Sequence, residues 1–187
     1  MSDYTVINIS DKIDLRPIRD FAITLPQIRK SVPDLNADPE QREIQSKYYN
    51  DNNSSKFLAF GDDEDVKHLF KDFAKVIDLE MLSYCLIYQS PGTFTGPHYD
   101  SFFGYCDRFG IDRKHAPHIQ RHVVFLDEWK FGQIFCFPTS VYANWRMGDM
   151  ITWPYKTTHS TATAGLAART ALTVTGIDPD VWRQINA

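Results

Sequence analysis

The chain has 187 residues, of which 43% are hydrophobic and 14% aromatic, so it carries enough apolar side chain for the core of one folded domain. This composition excludes disorder as the global state of the chain. The formal net charge of −4 at pH 7 provides no overall basic field for a polyanion, which makes nucleic acid a secondary hypothesis as a substrate.

The cysteines and the N-terminal segment bear on the cellular compartment. Cys85, Cys106 and Cys136 are widely separated among aromatic and aliphatic residues, which favours buried thiols over a disulfide framework or a thiolate metal site. The first sixteen residues are too polar for a signal sequence, and no apolar stretch approaches the length of a membrane span. We therefore expect a soluble, cytoplasmic protein that does not bind membranes.

The first third of the chain predicts helices and loops that support a core. Short apolar runs alternate with prolines, and residues 36–56 form a polar stretch that we expect to be a loop. Between residues 62 and 78, apolar side chains recur at spacings of three and four after an acidic start, which predicts an amphipathic helix. We assign residues 1–79 to an N-terminal helical and loop support.

Residues 80–178 predict a β-rich core. Short runs rich in β-branched and aromatic residues follow the predicted helix, at 81–89, 121–129, 133–137, 149–154 and 169–176. No helical pattern separates most of these runs, so we expect antiparallel strands arranged as a jelly roll. The prediction is a single domain spanning residues 1–187, mostly β with N-terminal helices.

A candidate metal site lies within this core. His98 and Asp100 are two residues apart, so on an extended segment both side chains point to one face. Together with His159 they are the ligand types of a 2-His-1-carboxylate triad, which binds non-heme Fe(II) and leaves open positions for substrate and oxygen. The His-x-Asp pattern alone is weak, and the ordered combination with His159 and Arg169 makes it specific.

Arg169 and Thr173 follow the distal histidine on a predicted strand. We expect residues 159–173 to form a hairpin with a three-residue loop centred on Gly165, which would put Arg169 roughly 7–8 Å from His159 on one face. That separation suits a five-carbon dicarboxylate that binds Arg169 at one end and the metal at the other. Thr173 falls on the same face as Arg169 and is predicted to hydrogen-bond the same carboxylate.

From about Tyr88 to Gly176 the sequence resembles the 2-oxoglutarate- and Fe(II)-dependent oxygenases of the double-stranded β-helix fold, and within them the prolyl-4-hydroxylase-like branch. The resemblance covers about half of the chain. Its matched features, in order, are Tyr88, the run GTFTGPHYD at 92–100, the run RHVVFLDEW at 121–129, Gly148-Asp149, His159 and Arg169.

The resemblance implies a cofactor set and a reaction. His98, Asp100 and His159 would ligate Fe(II), Arg169 would bind the 5-carboxylate of 2-oxoglutarate, and Tyr88 would line the pocket for this co-substrate. The implied reaction is the oxidative decarboxylation of 2-oxoglutarate by dioxygen to succinate and carbon dioxide, coupled to hydroxylation of an unactivated C–H bond.

Two positions depart from the pattern of this family. Phe125 stands where some members place a tyrosine that assists the arginine, and Ala171 stands where many members carry a serine. Because phenylalanine cannot donate a hydrogen bond, Tyr88 or Thr173 is expected to substitute.

The substrate is left open by the sequence. An amino acid, a peptidyl side chain or a small metabolite fits the resemblance, whereas a nucleobase would need more than the pair Tyr48-Tyr49 as stacking aromatics. Two other classes remain: a non-catalytic jelly-roll binding or structural domain that holds an ion such as zinc, and an iron oxygenase that uses no keto acid. The loops 36–56 and 101–120 carry no motif that names a substrate, and the oligomeric state stays open.

Several further side chains near the triad have predicted roles. We expect four aromatic residues after the triad aspartate or beside it to line the site: Tyr99, Phe102, Phe103 and Tyr105. His115, His118 and His122 lie among basic residues and predict a solvated loop, from which His118 or Arg121 would read a substrate anion if the loop covers the metal.

Overall fold

The computed structural model describes residues 3–30, 39–47 and 56–187. Within these ranges it contains ten strands, β1 (Thr5–Asn8), β2 (Lys56–Phe60), β3 (Glu80–Gln89), β4 (Thr93–His98), β5 (Ile119–Phe125), β6 (Gln133–Cys136), β7 (Val141–Tyr142), β8 (Asp149–Thr152), β9 (His159–Thr163) and β10 (Arg169–Ile177). The α-helices are α1 (Arg16–Ala22), α2 (Leu25–Ile28), α3 (Pro39–Ser46), α4 (Phe103–Phe109) and α5 (Pro179–Ile185), with 3₁₀ turns at Lys67–Phe70, Phe73–Lys75 and Arg113–His118.

The strands form two antiparallel sheets. The larger sheet has the order β1-β8-β5-β10-β3-β2, and the smaller sheet has the order β4-β9-β6-β7. Neighbours in each sheet pair in antiparallel fashion throughout. This architecture confirms the predicted mostly-β, double-stranded β-helix core.

Strand β10 has two buried faces because it lies near the middle of the larger sheet. Leu172 and Val174 point to a core formed with the N-terminal helices. Ala171, one position out of phase, points into an aromatic cluster that also contains Phe125 and Trp145. Since side chains alternate along a strand, the odd-numbered residues of β10 face the space between the two sheets.

The N-terminal third contributes strands as well as helices. Strand β1 pairs with β8 at one edge of the larger sheet, and β2 pairs with β3 at the other edge. The predicted loop over 36–56 is wrong over residues 39–46, which form α3, and at Lys56, which begins β2. Residues 36–38 and 48–55 of that loop, which include Tyr48 and Tyr49, lie outside the described residues.

The amphipathic helix predicted over residues 62–78 is wrong in type. The segment folds as two short 3₁₀ turns with i→i+3 hydrogen bonds, such as that from the Leu69 amide to the Val66 carbonyl at 2.9 Å. Its periodic apolar residues are nevertheless buried or partly buried, with Phe70 stacked on Tyr84 at 4.8 Å between ring centroids. A short helix has little cooperative stability of its own, so tertiary packing sets the backbone here.

The predicted hairpin around Gly165 is also wrong. Strand β9 belongs to the smaller sheet and β10 to the larger one, so residues 164–168 cross between the sheets. A Cβ at Gly165 would lie 2.0 Å from the carbonyl oxygen of Phe131. The glycine therefore permits a close backbone approach instead of a hairpin turn.

The segment 101–122 is more ordered than a loop. It contains α4 and the 3₁₀ turn at Arg113–His118, and His122 is part of β5, so the solvated loop predicted for His122 is wrong.

In the described parts of the chain, no helix has both the length and the apolar character needed to cross a membrane.

Candidate metal centre

Three potential ligands converge between the two sheets. His98 ends β4, Asp100 follows two residues later, and His159 begins β9 directly opposite His98 in the strand register. One ligand atom from each of these side chains lies within 4.8 Å of the other two, and each residue is 5–8% exposed. The structure thus brings together the three residues that the sequence predicts as a metal triad.

Backbone carbonyls hold both imidazoles in one tautomer. His98 Nδ1 contacts the Gly96 carbonyl oxygen at 2.9 Å, and His159 Nδ1 contacts that of Thr157 at 3.0 Å. Because a carbonyl only accepts, each Nδ1 carries the hydrogen and donates it. Each Nε2 is then left with its lone pair for a metal ion, the arrangement that outer hydrogen bonds produce at metal sites.

His159 lies in an aromatic enclosure. The Trp153 ring centroid is 4.5 Å from that of His159, and the Phe135 ring stacks against it at 5.6 Å. Burial, helped by the charge of the neighbouring His98, lowers the pKa of His159 to about 3. The imidazole is therefore neutral at physiological pH, which is the form that binds metals.

Asp100 is held by an arginine that the sequence assigned elsewhere. Arg121 Nη1 donates to Asp100 Oδ1 at 2.5 Å, and Arg121 Nε donates to Thr175 Oγ1 at 3.1 Å. The second carboxylate oxygen, Oδ2, lies 3.9 Å from His159 Nε2. The guanidinium thus fixes one oxygen of the carboxylate and turns the other towards the two histidines.

Arg169 is buried at the first position of β10. It is 5% exposed, and its Nη2 donates to Gln89 Oε1 at 2.6 Å and to Thr161 Oγ1 at 3.1 Å. Burial lowers the pKa of Arg169 to about 10, so the side chain is still a cation at neutral pH. A buried guanidinium without a carboxylate partner is costly unless a ligand supplies one.

Several buried polar atoms around Arg169 have no hydrogen-bond partner among the described residues. They are Nε and Nη1 of Arg169, Nε2 of Gln89 and Oγ1 of Thr95. Thr95 lies opposite Thr161 across β4 and β9, which places it on the same wall. Since buried donors are almost always paired in folded proteins, this group of atoms has the character of an anion-binding subsite.

The subsite and the triad open into one cavity of about 570 Å³. His98, Asp100, His159, Arg169 and Thr173 all line it. Three of the four aromatic residues predicted to line the site also do so, namely Phe102, Phe103 and Tyr105. Tyr99, the fourth, has Lys156 over its ring at 5.5 Å.

Tyr88 does not lie where the sequence predicts it. It occupies the other face of β3, in the core with the N-terminal helices, where its ring packs edge-on against Phe57 at 5.8 Å. The next residue, Gln89, faces the cavity side and contacts Arg169. Neighbouring residues on a strand point to opposite faces of the sheet, so a shift of one position moves a side chain from the cavity to the core. The only signal in the sequence that favoured Gln89 was its polar amide at the end of the apolar run 81–89.

Thr173 shares the face of Arg169, as predicted, but at a distance. Four residues of strand separate the two, or roughly 13 Å. The Thr173 hydroxyl donates to the Cys85 carbonyl at 3.3 Å, whereas the hydroxyl that contacts Arg169 belongs to Thr161 on the opposite sheet. Thr161 was not identified from the sequence, because its approach depends on how the two sheets pack.

The two departures from the family pattern pack against each other. Phe125 and Ala171 are paired across β5 and β10, and both are almost fully buried. The Phe125 ring stacks on Trp145 with 4.1 Å between centroids. This position is thus filled by an apolar stack, and Gln89 and Thr161 supply the polar contacts to Arg169.

Comparison with known proteins supports the fold. A prolyl hydroxylase from Trichoplax adhaerens, solved with a peptide fragment of the hypoxia inducible factor oxygen degradation domain, is 13% identical with a TM-score of 0.64, covering 99% of this chain and 87% of that one. The alpha-ketoglutarate-dependent epimerase SnoN of nogalamycin biosynthesis is 14% identical with a TM-score of 0.61, covering 94% and 78%. A Pseudomonas putida prolyl-4-hydroxylase is 13% identical with a TM-score of 0.54, covering 94% and 92%.

Neither the known protein-family profiles nor the curated proteins include a match to this chain. At identities of 13–14%, the likeness to solved structures establishes the fold and leaves the function to the geometry of the site.

Proposed function

We propose that this protein is an Fe(II)- and 2-oxoglutarate-dependent oxygenase that hydroxylates a C–H bond of an amino-acid, peptidyl or small-metabolite substrate. One observation carries the proposal: a buried guanidinium whose Nε and Nη1 have no hydrogen-bond partner among the described residues shares a cavity with a His-Asp-His cluster. The two parts match the two ends of a keto acid that chelates a metal and extends a second carboxylate to an arginine.

The triad fits iron in its donor chemistry. Two imidazoles and one carboxylate, converging from one side, are the donor set of non-heme Fe(II) oxygenases. When bound there together with 2-oxoglutarate, iron would supply the activation of dioxygen, with one oxygen atom ending in succinate and the other in the hydroxylated substrate as carbon dioxide is released. Arg121 would keep the Asp100 carboxylate oriented for this ion.

The buried polar atoms around Arg169 fit the distal carboxylate of the co-substrate. Arg169 Nε and Nη1 would donate to it, Gln89 Nε2 and Thr95 Oγ1 would add further donors, and Gln89 Oε1 would hold the guanidinium in place. This arrangement assigns to Gln89 and Thr95 the roles that the sequence predicted for Tyr88 and Thr173.

The walls of the cavity would exclude water from the reacting centre. Trp153 and Phe135 enclose His159, and Phe102 and Tyr105 approach from the side of α4. A dry site strengthens the charge interactions that orient the carboxylates and limits oxidation of the protein itself. Hydroxylation is the proposed outcome by analogy with the two prolyl hydroxylases of similar fold, although the epimerase SnoN shows that this fold also hosts other reactions.

A non-catalytic domain that holds zinc would use the same three ligands. Such a domain would have no use for a buried arginine with unpartnered N–H groups beside the metal. An iron oxygenase that uses no keto acid would lack a reason for Arg169 in the same way. The anion subsite therefore favours the proposed function over both alternatives.

An anaerobic titration tests the proposal. Fe(II) and 2-oxoglutarate added to the protein should together produce a weak visible metal-to-ligand charge-transfer band, which neither produces alone. Arg169→Leu should keep Fe(II) binding and lose 2-oxoglutarate affinity, while His159→Ala should lose Fe(II). Arg16→Leu, a change at an exposed ion pair with Asp14, is the matched control. A protein that binds Fe(II) but shows neither the band nor affinity for the keto acid refutes the proposal.

A further inference from the structure

We infer that the primary substrate is a small amphipathic anion whose charged group binds Arg108 and Arg121 at one end of the cavity. The inference rests on the proposed function and adds the chemical class of the substrate. It follows from where the strand register places these two arginines, from the charge balance of the cavity, and from the apolar wall beside them.

The cavity has two ends that the strand register identifies. Arg169 pairs with Gln89 at one end of the β10–β3 ladder, and Thr175 pairs with Ser83 near the other. Six residues of strand separate Arg169 from Thr175, or roughly 20 Å. The Arg169 end holds the unpartnered buried donors, so the co-substrate takes that end and the Thr175 end is left for the substrate.

Two guanidinium groups meet at the Thr175 end. Arg121 Nε donates to Thr175 Oγ1 at 3.1 Å, and Arg108 Nη1 donates to Ser83 Oγ at 3.4 Å. Because Ser83 and Thr175 are register partners, both arginines lie at the same end of the cavity, which they line. Arg121 uses its Nε and Nη1, which leaves Nη2 for a ligand.

Positive side chains outnumber negative ones among the described residues that line the cavity. Arg108, Arg121 and Arg169 stand on the positive side and Asp100 on the negative side, while Lys56, a fourth cation of the lining, has an interaction of its own. Fe(II), the Asp100 carboxylate and the dianion of 2-oxoglutarate sum to −1, which Arg169 neutralises. Because the Asp100 carboxylate is already counted in that sum, the positive charge of Arg121, its hydrogen-bond partner, is left over when metal and co-substrate are bound. The counter-ion of Arg108, Asp62 at 3.0 Å, is 64% exposed and easily screened.

An apolar wall lies beside the two arginines. Phe102, Phe103 and Tyr105 line the cavity, and the Arg121 guanidinium lies 5.4 Å from the Phe102 ring centroid. Phe102 has φ = +58°, a left-handed conformation that a bulky residue adopts only when its surroundings hold it there. The wall and the arginines together suit a molecule with a hydrocarbon body and a single anionic group.

A binding experiment with matched acid and amide ligands tests the inference. The protein is loaded with Zn(II) and saturated with N-oxalylglycine, an unreactive analogue of 2-oxoglutarate, and each loading step is measured by calorimetry. 3-Phenylpropionate, 3-phenylpropionamide and phenyl phosphate are then titrated. We expect the carboxylate or the phosphate ester to bind at least about tenfold more tightly than the neutral amide, as charge-assisted hydrogen bonds would give.

Variants at two arginines locate the effect. Arg108→Gln should reduce the preference for acid over amide to about threefold or less, and Arg108→Lys should retain part of it. Arg16→Gln is the matched control, because Arg16 is also exposed and ion-paired, to Asp14, but does not line the cavity. The urea denaturation midpoint of each variant checks that it is folded.

Each result bears on one claim only. Failure of N-oxalylglycine to bind the Zn(II) protein counts against the proposed function. If the analogue binds and acids and amides then bind equally well, the anionic-substrate inference is overturned. An acid preference that Arg108→Gln leaves unchanged overturns it as well.

Discussion

The Gln89→Leu variant distinguishes most sharply between two assignments of the co-substrate subsite. The structure supports Gln89 as its polar contact, whereas the sequence predicted Tyr88. The substitution places an apolar side chain of similar size on β3 and removes the amide that contacts Arg169 at 2.6 Å. In the ligand-free protein, Arg169 Nη2 would retain only Thr161 Oγ1 as a hydrogen-bond acceptor. Leaving a buried charged donor poorly paired costs about 1–3 kcal/mol, so the free energy of unfolding should fall by that amount.

The same change should weaken the binding of 2-oxoglutarate. Gln89 Nε2 is one of the unpartnered buried donors assigned to the distal carboxylate. Losing one hydrogen bond to a charged group costs roughly 1.5 kcal/mol or more, which corresponds to about a tenfold higher Kd. Anaerobic titration of the Fe(II) protein, followed through the visible charge-transfer band, gives this Kd, and urea denaturation of the metal-free protein gives the stability.

Tyr88→Phe is the matched control, since Tyr88 is the adjacent residue that the sequence predicted to line the pocket. Its side chain packs against Phe57 on the other face of the sheet, so removal of its hydroxyl should change the Kd for 2-oxoglutarate by less than about twofold. A weaker Kd in Tyr88→Phe together with an unchanged Kd in Gln89→Leu would refute the assignment of the subsite.

Three other predictions follow from the packing and burial. Burial lowers the pKa of His122, so below pH 6.5 the unfolded chain binds a proton that the folded chain does not. The stability of the metal-free protein should therefore fall as the pH falls. His122→Gln should reduce this pH dependence, measured as the urea denaturation midpoint from pH 7.5 to 5.5. Gly165→Ala should lower the free energy of unfolding by about 2 kcal/mol or more, because its Cβ would lie 2.0 Å from the Phe131 carbonyl oxygen. The control Gly92→Ala, at φ = +75° with open space around it, should lower it by only about 1 kcal/mol. Equal losses in the two variants would contradict the close backbone approach at Gly165. Phe125→Tyr introduces the tyrosine of the family pattern but buries its hydroxyl in a stack with Trp145, so the free energy of unfolding should fall by about 1–3 kcal/mol. The Kd for 2-oxoglutarate should not decrease, and a lower Kd in this variant would contradict the reasoning.

The triad could be predicted because its information is local. His98 and Asp100 are only two residues apart at the end of β4, and only the approach of His159 depends on the fold. The jelly-roll architecture was likewise predictable, since successive β-rich runs with few intervening helices leave few alternatives. The prediction that Arg169 lies beside the metal site assumed a hairpin between residues 159 and 173. That hairpin is absent, because the chain crosses from one sheet to the other between β9 and β10.

The contacts that complete the site depend on long-range packing. Arg121 reaches Asp100 from β5, and Thr161 reaches Arg169 from the opposite sheet. Neither pairing has a local spacing signal, because each requires the relative placement of two strands. The choice between Tyr88 and Gln89 depends on strand parity, which a sequence pattern does not resolve when both residues end an apolar run. The helix expected over 62–78 failed for a similar reason, since packing favoured 3₁₀ turns over a regular helix.

Succinate formation tests the central claim most directly. The protein is loaded with Fe(II) and mixed with 2-oxoglutarate, dioxygen and ascorbate, which reduces the second oxygen atom to water when no primary substrate is present. The succinate and carbon dioxide produced are quantified beside those from the Asp100→Ala and Arg169→Leu variants. The account predicts succinate and carbon dioxide in equal amounts from the unaltered protein, even in slow turnover without a primary substrate, and little from either variant. Iron bound at one equivalent with no succinate formed, or unchanged succinate formation in Arg169→Leu, would contradict the account.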